Sequence, residues 1–114
     1  MTDRGAQDLA SRKCEPCEGG MPPLTALEAS ALRAELHPDW TLAADAKSLK
    51  RALKFKDFYR TMSFVNAVAH IANVEDHHPD LEVGYNYCRI SYSTHSIGGL
   101  SQNDFICAAK IDRL

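Results

Sequence analysis

Three of the five histidines, His77, His78 and His95, fall close together among acidic residues. They stand in Glu75-Asp76-His77-His78-Pro79-Asp80 and in Ser93-Thr94-His95, followed by Gly99-Leu100-Ser101 and Asp104. Imidazole gives and takes protons near neutral pH more readily than any other side chain. Such a grouping in a small chain points to acid/base chemistry on a bound small molecule. Plainer readings compete with it. A His-His-Pro at a helix end is also a helix stop with exposed rings, and a histidine closing a strand is often a surface residue. Asp104 is fully explained as a cap, three residues after Ser101. Three histidines could hold zinc, but adjacent histidines rarely point one way on a regular element. His70, two helical turns before His77, packs on nearly the same face, and His37 beside Pro38 is a loop residue. The three histidines, the carboxylates and the glycine loop together favour a site.

The elements that must position these residues follow from pattern. Thr25-Ala26-Leu27-Glu28 is a capping box that opens a helix to about Leu36, and His37-Pro38-Asp39 stops it. Trp40 to Leu42 reads as a short strand and Ala43 to Lys47 as a turn. Ser48 to Lys56 alternates, with Leu49, Leu53 and Phe55 opposite Lys50, Lys54 and Lys56. Asp57 caps a central helix to about Val74, whose Phe58, Met62, Val65, Val68, Ala69 and Ala72 recur at helical spacing as core. His77 and His78 then fall at its C-terminal end, where the helix dipole and Asp76 or Glu75 favour imidazolium. Leu81, Val83, Tyr85 and Tyr87 share odd positions, whereas Cys88, Ile90, Tyr92 and Thr94 share even ones. This change of phase predicts a hairpin turning around Asn86-Tyr87. A Gly98-Gly99 loop follows, and Ser101 to Asp104 caps a last helix through about Arg113. The order is α-β-β-α-β-β-α. The fold class is α+β, a four-stranded antiparallel sheet with three helices packed on one face.

At 114 residues the chain is one domain with a limited core, which association would help to complete. A net charge of -2 gives no electrostatic reason to expect nucleic acid or an anionic membrane. Lys47, Lys50, Arg51, Lys54 and Lys56 read as a solvated strand face rather than a phosphate track. No apolar run reaches the length of a membrane span, and residues 1–20 lack the apolar stretch of a secretory signal. The compartment expected by default is the cytoplasm. Residues 1–23 look like a flexible arm carrying a Cys14-x-x-Cys17 pair and ending in Pro22-Pro23. Zinc binding by the pair would want two further ligands, and a thioredoxin-type role would want a helix after it, where Gly19-Gly20 and Pro22-Pro23 stand instead. The plain reading is a tail with two thiols; metal binding and redox chemistry are the alternatives. Cys88 and Cys107 lie in apolar patterns and read as buried packing residues.

From about Leu24 to Leu114 the chain resembles the pterin-4a-carbinolamine dehydratase family. The resemblance is carried by Asp76-His77-His78-Pro79, Tyr85-Asn86, Ser93-Thr94-His95, Gly99-Leu100-Ser101 and Asp104, in the family's order and spacing. Phe55-Lys56-Asp57-Phe58 and Trp40 extend it upstream. It implies residues 24–114 as a dehydratase domain and the same α+β fold. The implied reaction is conversion of a 4a-hydroxytetrahydropterin (the 4a-carbinolamine) to quinonoid dihydropterin and water, within tetrahydrobiopterin recycling for aromatic amino acid hydroxylases. No metal or organic cofactor is implied. His77, His78 and His95 would surround the pterin, with His78 the most indispensable and His77 and His95 the acid/base partners. Asp76 would orient or charge an imidazole, Asp104 would support His95, and Ser93, Thr94 and Ser96 would hold the pterin. Asp80, Leu81 and Ser96 depart from residues common in the family. The departures bear on pterin side-chain preference and leave the histidines intact. Family members form homodimers and homotetramers. Animal members also bind a homeodomain transcription factor and stabilise its dimer, so a protein-interaction role and a non-catalytic pterin-binding module are the competing functions. The N-terminal cysteine pair is more like that of bacterial relatives, which argues against the animal role.

Overall fold

Thr25 opens the first helix, α1 (Ala26–Arg33), through both halves of the expected capping box: Glu28 N–H donates to Thr25 Oγ1 at 3.1 Å, and Thr25 N–H donates to Glu28 Oε1 at 2.8 Å. The structure, a computed structural model, describes residues 8–16 and 19–114. α1 stops before the expected Leu36, because the chain tightens into single turns (Leu36 N–H to Arg33 O, 3.0 Å) on its way to Pro38. β1 (Thr41–Leu42) and β2 (Leu49–Lys54) follow, then α2 (Phe58–Glu75), β3 (Asp80–Val83), β4 (Tyr87–Tyr92) and α3 (Gln102–Ile111). Asp57 caps α2 by accepting from Arg60 N–H at 2.9 Å.

The four strands form one antiparallel sheet in the order β1-β2-β4-β3. Directly paired residues share a face. Leu49 lies opposite Tyr92, Leu53 opposite Cys88, and Leu81 opposite Ile90, so the apolar residues collect on the inner face. The helices cover that face around Trp40, Leu49, Val68, Ile90, Tyr92 and Phe105. α3 is buried almost throughout. The three helices on one face agree with the sequence pattern. Among the described residues no helix is long and apolar enough to cross a membrane.

Four expectations need correction. The hairpin turns at Gly84–Asn86, earlier than Asn86-Tyr87: Val83 pairs with Cys88, and Gly84 N–H donates to Tyr87 O at 3.0 Å. The Tyr87 ring crosses Gly84 so closely that a Cβ there would meet it at 2.1 Å, which fixes the turn at the glycine. Tyr85 leaves the strand and stacks on Phe58, so Phe58 is half-exposed rather than core. Arg51 is not part of a solvated basic face. It points inward opposite Ile90 and pairs with Asp112 at 2.7 Å. Finally, the stretch expected to be a loose arm is, over residues 8–16, laid on α3. Leu9, 3% exposed, enters the core from a 3-10 turn (Leu9–Ser11), and Lys110 Nζ donates to Ala10 O at 2.8 Å. The burial of Leu9 offsets the entropy of ordering the segment. Met1 to Gln7 and Cys17, the second thiol of the expected pair, lie outside the described residues.

Asp112 at the end of α3 ties the opposite side of the sheet. Its carboxylate accepts from Trp40 Nε1 (2.8 Å), Arg51 Nη1 (2.7 Å) and His37 N–H (2.9 Å). Asp112→Ala leaves three donors, one of them a largely buried guanidinium, without an acceptor. A loss of about 3 kcal/mol is expected, measured as a lower urea midpoint at unchanged m value.

Candidate active site

The end of α2 decides how the two adjacent histidines diverge. Asp76 takes a left-handed conformation (φ 53°) just past the helix; its N–H donates to Asn73 O at 3.4 Å, and His77 N–H donates to Ala72 O at 3.0 Å. This is a Schellman closure with aspartate where glycine is usual. The chain reverses within two residues, so His77 turns under the sheet while His78 stays outside. His77 is 12% exposed and lies parallel to the Tyr92 ring, with centroids 5.6 Å apart. His78 is exposed, and its Nε2 lies 3.1 Å from Asn73 Oδ1.

The second histidine motif sits where β4 gives way to a loop. Thr94 bridges to Gly99, with Thr94 N–H donating to Gly99 O at 2.7 Å. His95 therefore opens a short 3-10 turn (His95–Ile97) rather than ending the strand. Its ring is exposed and has no hydrogen-bond partner among the described residues. Gly98 at φ 71° closes this turn, and the Pro23 ring packs where a Cβ on Gly99 would stand, at 2.8 Å.

Asp104, in the first turn of α3, has 0% exposure and joins the two motifs. Oδ1 is 2.6 Å from His77 Nε2; Oδ2 accepts from Thr94 Oγ1 at 2.8 Å and from Ser101 N–H at 2.9 Å. The Thr94 hydroxyl proton is thus committed to Asp104, so Ser101 Oγ donates to Thr94 Oγ1 across their 2.8 Å contact. Asp104 was expected to support His95, but it supports His77, since only that ring reaches the start of α3. A carboxylate facing Nε2 fixes that nitrogen as a donor and leaves Nδ1 as the titrating atom. Burial lowers the pKa of His77, but the bond and charge of Asp104, with smaller help from Cys107 and Asp76, outweigh it, and the net shift is upward.

A cleft of about 600 Å³ is lined by Asp76, His77, His78, Ser93, Thr94, His95 and Ser96, the residues the sequence singles out, while Asp104 stands behind His77. The remaining wall was not foreseen: Val74, Glu75, Asn103 and the segment Cys14–Pro16. Glu75 was legible as a carboxylate beside the histidines, but no pattern links residues 14–16 to a site eighty positions away. Among the described residues no three His, Cys, Asp or Glu side chains converge as metal ligands would. The arrangement is one half-buried, carboxylate-backed imidazole and two exposed ones around a polar cleft.

The raised His77 pKa gives a signed prediction. The unfolded value is about 6.5. The stability contributed by the His77–Asp104 pair is fully present below that value and is lost as pH rises through the higher folded pKa. Urea unfolding across this window should show that decline, and Asp104→Asn, which leaves burial as the largest influence on His77, should abolish or reverse it. Ring-proton NMR of His77 checks the assignment directly.

A family model described as pterin 4 alpha carbinolamine dehydratase matches residues 22–114. A protein of Nitrosomonas eutropha, provisionally named a pterin-4-alpha-carbinolamine dehydratase, is 59% identical over 107 residues, covering 94% of this chain and 93% of its own. A solved structure from Brucella melitensis, described as a transcriptional coactivator/pterin dehydratase, superposes with a TM-score of 0.75 at 30% identity, covering 80% of this chain and 96% of that one. A pterin dehydratase-like protein identified as a RuBisCO assembly factor in the alpha-carboxysome shares the fold alone, with a TM-score of 0.58 at 20% identity over 68% of this chain and 89% of its own.

Proposed function

Because the chain belongs to the pterin-4a-carbinolamine dehydratase family, we propose that it converts 4a-hydroxytetrahydropterin to quinonoid dihydropterin and water. One observation carries the reading: three histidines from two separate motifs line a single cleft, and one of them is backed by a buried carboxylate. In the reaction the C4a–O bond breaks, the hydroxyl leaves as water on receiving a proton, and N5 gives up its proton as the C4a–N5 double bond forms. Both transfers suit imidazoles poised near neutral pH.

The geometry supports a division of labour. Asp104 holds a proton on His77, whose Nδ1–H is then the acid for the departing hydroxyl. His78 turns Nε2 to the Asn73 amide oxygen, which leaves Nδ1 as an acceptor and makes His78 the base for N5. His95 closes the far side of the cleft and steadies the oxygen as it leaves. Asp76 adds negative charge beside His77, Ser93 and Ser96 offer polar groups to the pterin, and Thr94, bonded to Asp104 and Ser101, holds the cleft wall between them.

We place the activity in tetrahydrobiopterin recycling for an aromatic amino acid hydroxylase, in the cytoplasm, and in a homodimer or homotetramer. Tyr59, 85% exposed at the start of α2, with Phe58 and the Tyr85 ring stacked on it, gives such an assembly an apolar surface to bury. A protein-binding role is what the names of the Brucella and carboxysome neighbours suggest for those proteins. The assembled histidine cleft favours catalysis here.

Stopped-flow dehydration of 4a-hydroxytetrahydropterin tests this. His78→Ala and His77→Gln should each lower kcat by about 10²-fold or more, with circular dichroism unchanged. Absence of acceleration by the folded wild type would move the function to pterin or protein binding without turnover.

A further inference from the structure

The cleft has a wall that the family's core does not supply. The family model begins at residue 22, and the Brucella structure, matched over nearly its whole length, covers only 80% of this chain. Cys14, Glu15 and Pro16 nevertheless line the histidine cleft. The Nitrosomonas relative aligns over 107 of the 114 residues and so spans this segment.

The segment is built in. Glu15 N–H donates to Asn103 Oδ1 at 3.1 Å, and Asn103 Nδ2 donates back to Glu15 O at 2.6 Å. Cys14 N–H donates to Glu75 Oε1 at 2.8 Å. Glu75, its side chain 6% exposed, has Lys110 Nζ 3.7 Å from its other oxygen, and the same ammonium holds Ala10 O. Burial raises the Glu75 pKa, but the Cys14 N–H and Lys110 outweigh it, so the carboxylate stays charged and keeps its hold. Behind the wall Leu9 is sunk in the core. Cys14 Sγ lies 3.6 Å from Cys107 Sγ and 3.6 Å from Asn103 O; the contact with Cys107, then burial, push the Cys14 thiol well up, so it stays a neutral group held against α3.

We propose that Cys14–Pro16 is a substrate-binding wall, pinned by Asn103, Glu75 and Lys110, which meets the part of the pterin remote from the reacting C4a–N5 edge and sets affinity for it. This rests on the pterin reading of the cleft above. The histidines supply the groups that meet the reacting edge, so the wall acts on ground state and transition state alike. Uniform binding of that kind appears in KM and not in kcat. A purely structural segment would change stability and leave KM alone.

Lys110 is the informative position, because it holds the wall from behind and does not line the cleft. The test uses the full chain as wild type, Lys110→Met and Leu9→Ala, both behind the wall and off the cleft. KM and kcat are measured with 4a-hydroxytetrahydropterins bearing a methyl or a dihydroxypropyl group at C6, alongside fluorescence titration with non-reacting dihydropterin and a thermal melt. The expected result is a rise of fivefold or more in both KM and the dihydropterin Kd for each variant, kcat within twofold, and a KM ratio between the two substrates that differs from wild type. Unchanged KM and Kd in variants that are folded but melt lower would overturn the wall. If wild type does not dehydrate the carbinolamine, the enzymatic reading fails while the Kd comparison still decides the wall. If wild type binds no dihydropterin, both fall.

Discussion

A fully buried carboxylate must be satisfied by the protein itself, and most of the cleft end of this fold follows from how Asp104 is satisfied. Its three donors come from three places: the residue after the αL cap of α2, the bridge that prolongs β4, and the first residue before α3. None of these segments can shift without stripping a donor from a carboxylate that has no water to replace it. The site is therefore held by the same contacts that dock α2 and β4 onto α3. Asp104 also lies in the first turn of its helix, where the dipole favours negative charge.

The second constraint is the reversal at Asp76. Two consecutive side chains on a helix point about 100° apart and could not serve one cleft from different depths. Left-handed backbone at a non-glycine residue costs of order 1 kcal/mol. Here it places His77 beneath Tyr92 and leaves His78 at the surface, both still on the cleft. Identical side chains thereby acquire different environments. One is shielded and backed by a carboxylate; the other is solvated and bonded to an amide.

Much of this was legible in the sequence because it is local. Thr25 with Glu28 marks a helix start, the alternation of Leu49 and Leu53 with lysines marks a half-buried strand, and Pro79 marks the end of the histidine run. The misreadings share a cause: they concern residues whose role is fixed by a partner far along the chain. Arg51 resembles its lysine neighbours until Asp112 is placed beside it. Tyr85 continues an apolar alternation, yet it is drawn off the strand by Phe58 and by the hydroxyl of Thr61, which donates at 2.9 Å to Tyr85 O. Asp104 carries a capping pattern that is sufficient by itself, so nothing in its spacing tells whether it faces His77 or His95. The wall at Cys14–Pro16 is the extreme case, since its anchors lie some sixty to ninety residues away.

α3 shows why polar anchoring concentrates at two places. From Asn103 to Ala108 the helix is buried without interruption, so it has little side surface on which to carry polar contacts. Its ends must hold it. Both are held by aspartate, but on opposite electrostatic terms. Asp104 sits where the dipole is favourable and needs only neutral donors and an imidazole to complete it. Asp112 sits at the C-terminal end, where the dipole opposes negative charge, and it is paired with the full cation of Arg51. At the other end a titratable imidazole takes the corresponding place, and the same anchoring device becomes able to exchange a proton. The fold thus meets two inward carboxylates in two ways, one with an imidazole at the cleft and one with a guanidinium at the far end of α3.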